Sequence, residues 1–291
     1  MNQGDIPLIN MPVGPGSQSN AEDSVVLDYM PMPKEMHTYD IPMLPEAELL
    51  ESCPETLELL DKLQQQLDAY TPERAVISLG LEKLSEAGLD LINQILGEGE
   101  VSLICKTDDQ DCLEVHAQET VLAGVWRLRY LNADSHLIKE TLEIADVPSV
   151  ARRYGFSQAT PLAVEAAQWP AGILNAPPVL IELQHKSECY QPGDEPHVIN
   201  LSLLPFSPAD HQLLDHYLGS GSLVVLSRGY GNCRISSTGV CPIWRVQYFN
   251  STDQLILDTL EVVEMPAVVC AAPEDLQDSA LRLQEIREVL I

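Results

Sequence analysis

The chain repeats itself, and that limits its folds more than any other feature. Residues 76–101, VISLGLEKLSEAGLDLINQILGEGEV, align without gaps to 198–223, VINLSLLPFSPADHQLLDHYLGSGSL, with ten of 26 positions identical. Residues 126–148 align in the same way to 244–266, with ten of 23 identical. The spacing between the blocks differs by four residues, which places the length change in one loop. Each copy must then be one supersecondary unit of a common design.

Both copies read alike. Val76–Leu81 and Val198–Leu203 are short β-type runs. Ser85 and Ser207 stand where a helix needs an N-cap, and Pro208 and Asp210 follow Ser207 at the positions that favour a helix start. Leu91, Ile92 and Ile95 match Leu213, Leu214 and Tyr217 on the inner face, and Gly97 and Gly219 stop the two helices. A strand is expected at about 100–105 and 222–227. Two longer strands follow in each copy, at about 122–131 and 136–145, then at 242–249 and 254–263. Their turns begin at Asn132 and Asn250, chemistry suited to a β-hairpin. Trp126, Leu128 and Tyr130 alternate with Arg127 and Arg129, as in a strand with one covered and one wetter face.

Each copy therefore reads β-α-β-β-β-β, giving an α+β fold of two tandem units with largely antiparallel sheets. Residues 1–53 are expected to be an extended or partly disordered arm, because prolines crowd Tyr29–Pro45 (YMPMPKEMHTYDIPMLP). Its Met, Tyr and Leu side chains suit either a strap over its own domain or a segment that folds onto a partner. Residues 54–150 form the first repeat domain with a leading helix, Pro54–Tyr70, whose Leu57, Leu60, Leu63 and Leu67 make one stripe. Residues 151–196 connect the copies, with a helical piece near Pro161–Gln168 and a strand at Pro178–Leu183. Residues 197–291 form the second repeat domain, ending in a helix, Glu274–Ile291, expected to dock on the second sheet.

Charge narrows the function. Forty-four acidic side chains against 16 basic give a formal charge of -28. Nucleic acid and anionic membranes call for a basic face, so neither is an expected partner. No apolar run reaches the length of a membrane span, and the N-terminus shows no basic region leading into an apolar core, so a cytoplasmic protein is expected. Seven cysteines, scattered and odd in number, read as reduced thiols.

Phosphate loops, dinucleotide fingerprints, nucleophile elbows and paired zinc histidines are all absent. No catalytic residue, metal site or cofactor is expected. His185 with Cys189 is one weak ligand pair. A site should instead show as a difference between the copies. The clearest difference is RGYGNCR, residues Arg228, Gly229, Tyr230, Gly231, Asn232, Cys233 and Arg234, where the first copy has only KTDDQDC, Lys106–Cys112. The glycines and Asn232 permit a tight tip. Arginines beside a tyrosine suit recognition of a partner, and they equally suit a hairpin whose arginines pair with nearby carboxylates. Cys233 and Cys241, eight apart, are the alternative: a thiol redox pair or half of a cluster site.

RGYGNCRI followed by Trp244–Asn250 and Asp258–Val262, with the Tyr29-Met30-Pro31-Met32-Pro33 arm, resembles the HupH/HyaF (HoxQ) family of hydrogenase expression and formation proteins. The resemblance runs from about residue 25 to the end. It implies a dedicated maturation factor without enzymatic activity. Such a factor holds the iron–sulfur small-subunit precursor of an uptake [NiFe]-hydrogenase in the cytoplasm before twin-arginine export, alongside another maturation protein. The partner-binding residues it implies are Arg228–Arg234 with Tyr29, Met30 and Met32. An iron–sulfur carrier or thiol redox role in cluster assembly is the alternative.

Overall fold

Ten strands and six α-helices make up the fold among the described residues. The computed structural model describes residues 45, 49, 52–71, 76–164, 169, 172–229 and 231–290. Tyr29, Met30, Met32 and Tyr230 lie outside the described residues, as does nearly all of the expected arm. The first half runs α1 (Pro54–Asp68), β1 (Ile77–Gly80), α2 (Glu86–Leu96), β2 (Val101–Lys106), β3 (Glu114–Glu119), β4 (Val125–Leu131), β5 (Leu137–Ile144) and α3 (Ser149–Tyr154). The second runs α4 (Ala176–Cys189), β6 (His197–Asn200), α5 (Pro208–Leu218), β7 (Leu223–Ser227), β8 (Asn232–Ser237), β9 (Ile243–Phe249), β10 (Leu255–Val262) and α6 (Pro273–Leu290).

Local chemistry explains the helix ends. The Ser85 hydroxyl accepts from the Gly88 N–H, and Ser207 with Asp210 closes a capping box. Gly97 and Gly219 leave their helices at φ 54° and 59°, backbone that glycine adopts without a Cβ penalty. Burial opposes the charge on Asp210. The N–H groups of Ala176, Ser207 and Leu174 and the Ser207 hydroxyl overcome it, holding the carboxyl well below its ordinary range.

The strands form one ten-stranded antiparallel sheet in the order β1-β5-β4-β3-β2-β7-β8-β9-β10-β6, not one sheet per copy. The join is β2 against β7, in register from Val101↔Ser227 to Cys105↔Leu223. Pairing here satisfies backbone groups that two separate sheets would leave on open edges. It also sets the β2–β3 and β7–β8 tips at opposite ends of the sheet.

On one face, Trp126 and Trp244 are fully buried, and their ring N–H groups donate to Ala145 O (3.1 Å) and Val263 O (3.0 Å). Leu103, Cys105, Val225 and Ile235 join them beneath α3. On the other face α2 covers Val125, Leu142 and Ile144, while α5 covers Ile243, Leu260 and Val262. An arginine ties each helix to the sheet. Arg127 reaches Glu140 (2.7 Å) and Asn93 of α2, and Arg245 reaches Asp258 (2.7 and 3.0 Å) and Asp215 of α5 (2.8 Å).

Three expectations fail. Residues 178–183 lie within helix α4, because Pro177 and Pro178 sit in its first turn, where a missing N–H costs nothing, and Val179, Leu180 and Leu183 face inward. A short apolar run alone does not separate strand from buried helix. Pro161–Val164, the described part of the piece expected to be helical, has no helix. Finally, α6 docks on the first half. Its Leu276, Leu283 and Leu290 join Leu60 and Leu63 of α1, with Gln64 Nε2 donating to Ala280 O (3.0 Å) and Arg287 paired to Asp61.

Candidate docking site

The β7–β8 tip begins where β7 runs past the start of β2. The Arg228 N–H donates to Glu100 O (3.0 Å), so the tip is tied to the first half, and the Arg228 side chain is exposed. Gly229 lies so close to the Glu100 carboxylate that a Cβ there would meet Oε2 at 2.2 Å. Gly231, at φ 104°, makes the reversal. From Asn232 on the chain is β8. Asn232 pairs with Phe249, and its Nδ2 donates to Asp253 Oδ1 (3.4 Å) in the turn of the β9–β10 hairpin.

Within RGYGNCR, then, Arg228, Gly229 and Gly231 form the tip, and Asn232, Cys233 and Arg234 are strand. Cys233 points into the core, 3% exposed, against Tyr248. Arg234 points to the opposite face, half-buried, with Leu226 and Gln247 as cross-strand neighbours. The two arginines do not flank one exposed patch.

Beside the tip the β9–β10 hairpin bares Leu255 (41% exposed) and Ile256 (62%). Leu255 pairs with Phe249, so Asn232, Phe249 and Leu255 form one row across three strands. The exposed Arg228 and these aliphatic side chains stand at the same end of the sheet, with β8 and β9 between them. Sequence reasoning missed Leu255 and Ile256. The signal was two consecutive aliphatics straight after a turn, which cannot both face one core in a strand.

The thiol pair does not form. Cys233 is the second residue of β8, whereas the exposed Cys241 lies beyond the far end of that strand, about 13 Å along it at Ser237 and further in the loop. Burial pushes the Cys233 thiol up to about 11, with a hydrogen bond from Tyr248 opposing, so it stays protonated at neutral pH. His185 Nδ1 and Cys189 Sγ are 3.8 Å apart on α4, yet among the described residues no group of three His, Cys, Asp or Glu side chains is placed to hold a metal. No helix among the described residues is long and apolar enough to cross a membrane.

The model of the HupH hydrogenase expression protein C-terminal conserved region matches this chain at residues 55–155 and again at 173–290. The chain belongs to the HupH family. Members similar to it include the hydrogenase expression/formation protein HupQ of Azotobacter chroococcum mcd 1, 50% identical over 96% of this chain and 97% of that one. HoxQ of Cupriavidus necator is 43% identical over 98% of each chain. The hydrogenase-1 operon protein HyaF of Escherichia coli K12 is 33% identical over 94% of each. Among solved structures, the hydrogenase expression protein HupH from Thiobacillus denitrificans is 26% identical, covering 40% of this chain and 97% of that one at a TM-score of 0.35. The two matched stretches open within α1 and just before α4.

Proposed function

We propose that this chain is a maturation factor for an uptake [NiFe]-hydrogenase. It grips the iron–sulfur small-subunit precursor in the cytoplasm before twin-arginine export, by binding and without bond-making chemistry. A duplicated module with an N-terminal Pro/Met-rich arm serves that task, Tyr29, Met30 and Met32 adding adaptable apolar contacts and another maturation protein acting alongside.

End-to-end similarity to hydrogenase expression/formation proteins supports the maturation role. The observation that carries the site is the difference between halves at one fold position: an exposed Arg228 tip tied to Glu100, where the first half has an acidic turn. A protein with a formal charge of -28 steers basic segments of a partner toward itself, and the tip with Leu255 and Ile256 supplies short-range contact.

Pull-down of purified precursor tests this. Arg228→Ala with Tyr230→Ala is expected to lower retention at least tenfold, and hydrogenase activity in cells should fall with it. The Arg228–Glu100 link runs through the backbone, so the melting temperature should not move. Retention and activity both at the unsubstituted level would leave the tip a structural turn.

A further inference from the structure

We propose a second docking surface, at the end of the sheet opposite the Arg228 tip, which takes a basic, aliphatic-rich extended segment of a partner polypeptide. A cleft of about 580 Å³ opens there, walled by the turn Gly155–Ala159, the strand ends at Thr107 and Leu131, and the α5–β7 connection at Ser220–Ser222. That volume lies in the range of pockets that enclose whole side chains.

Leu113 and Leu131 line the cleft, the Leu113 N–H donating to Leu131 O (3.0 Å), and Leu131 pairs with Leu137 on β5 next to the cleft-lining turn at Asn132–Ser135. Leu113 is 41% exposed, Leu137 48% and the adjoining Ile138 50%. Aliphatic side chains this bare near a cleft mark an interaction surface.

Charge decides the occupant. The β2–β3 loop carries Asp108, Asp109 and Asp111, all exposed, and Asp134 in the β4–β5 turn adds a fourth carboxylate against Lys106 and Lys139. An extended segment sets successive side chains on opposite sides, so Arg or Lys alternating with Leu or Val meets the aspartates and the exposed aliphatic side chains together.

The fold contains a precedent for chain in such a place. By the 118-residue offset of the copies, Gly155–Ala159 corresponds to Pro273–Gln277, the first turn of α6. At the far end of the sheet that turn packs Leu276 against Gly124, where an added Cβ would meet Leu276 Cδ2 at 2.3 Å. One end is filled by the protein's own helix. Among the described residues no helix fills the cleft end.

The test uses the full-length protein and a fluorescent, end-blocked peptide Gly-Arg-Leu-Arg-Leu-Arg-Leu-Gly, against the version with Glu for Arg. The Arg peptide should bind at least tenfold tighter. Asp108→Asn with Asp109→Asn and Asp111→Asn should cost tenfold or more, and so should Leu137→Ser with Ile138→Ser. Removing three carboxylates on α6, Asp278→Asn, Glu285→Gln and Glu288→Gln, should change affinity less than twofold. If the α6 variant loses as much as the loop variant, only net charge is being read and the proposal fails. It fails equally if the Leu137/Ile138 variant binds as well as the unsubstituted chain. A benzophenone placed on the peptide should crosslink within 107–113, 131–139 or 155–159, and crosslinks elsewhere would also overturn it. Arg228→Ala should leave peptide binding unchanged, so this surface and the tip stand or fall separately.

Discussion

Ending the chain at Cys270 should unfold the first half, although every residue removed belongs to the second half. Deletion of α6 uncovers the apolar face of α1 and α2. Leu276, Leu283 and Leu290 are 3%, 0% and 5% exposed within that cluster. At about 1.5–3 kcal/mol for each fully buried leucine side chain, the loss is roughly 5–9 kcal/mol, against a whole-domain stability of about 5–15 kcal/mol. The Gln64–Ala280 hydrogen bond and the Arg287–Asp61 ion pair go too. Native-state hydrogen exchange reads the result directly. Amides of α1 and α2 should lose their slow exchange. Those of α4 and α5, whose cluster contains no α6 residue, should keep more of theirs. In the full chain, Leu283→Ala alone should cost about 2–5 kcal/mol, as buried leucine truncations do. Slow exchange retained in α1 and α2 after the deletion would show that the helix is dispensable.

What the sequence disclosed follows from how far each physical signal reaches. Caps, stops and turns are local. Ser85, Ser207, Gly97, Gly219, Asn132 and Asn250 all do what their chemistry predicts, Asn132 Oδ1 accepting from Asp134 and His136 and Asn250 Oδ1 from Thr252 and Gln254. The β-α-β-β-β-β order was legible for the same reason. The join of β2 to β7 was not, because Leu103, Cys105, Leu223 and Val225 look the same whether their strands meet a neighbour or an open edge. Nor was the docking of α6, since an amphipathic stripe declares that it is covered without declaring by what. At α4 the apolar run read as a strand, although the twin prolines at its head start a helix. The repeat held the correction, for Leu180, Leu183 and Tyr190 stand 120 residues after Leu60, Leu63 and Tyr70. The RGYGNCR motif stood out as the difference between copies. Its division into an exposed turn and a half-buried strand depended on register, which a single sequence does not carry.

Glu119→Gln should stabilise the protein, and only above acidic pH. Glu119 ends β3, where the second half has Ser237, and its Oε1 accepts the Gly124 N–H at 3.0 Å. Burial pushes its carboxyl up to about 7, with the Glu100 and Asp275 carboxylates adding to the rise against the Gly124 hydrogen bond. The sign follows from linkage. A carboxyl with a folded-state value near 7 and an ordinary value of 4.5 binds its proton more tightly when folded. It therefore carries no penalty below about pH 4.5, a growing one as the pH rises to 7, and a constant one beyond. That constant is of order 3 kcal/mol. Glutamine keeps an acceptor for Gly124 and never ionises. Denaturation by urea should thus give equal stability for both proteins near pH 4.5 and a gap of that size at pH 8. A gap independent of pH would mean that packing, not charge, distinguishes the variants. Such a carboxyl is costly at neutral pH, and it lies against Glu100, whose carbonyl holds the Arg228 tip.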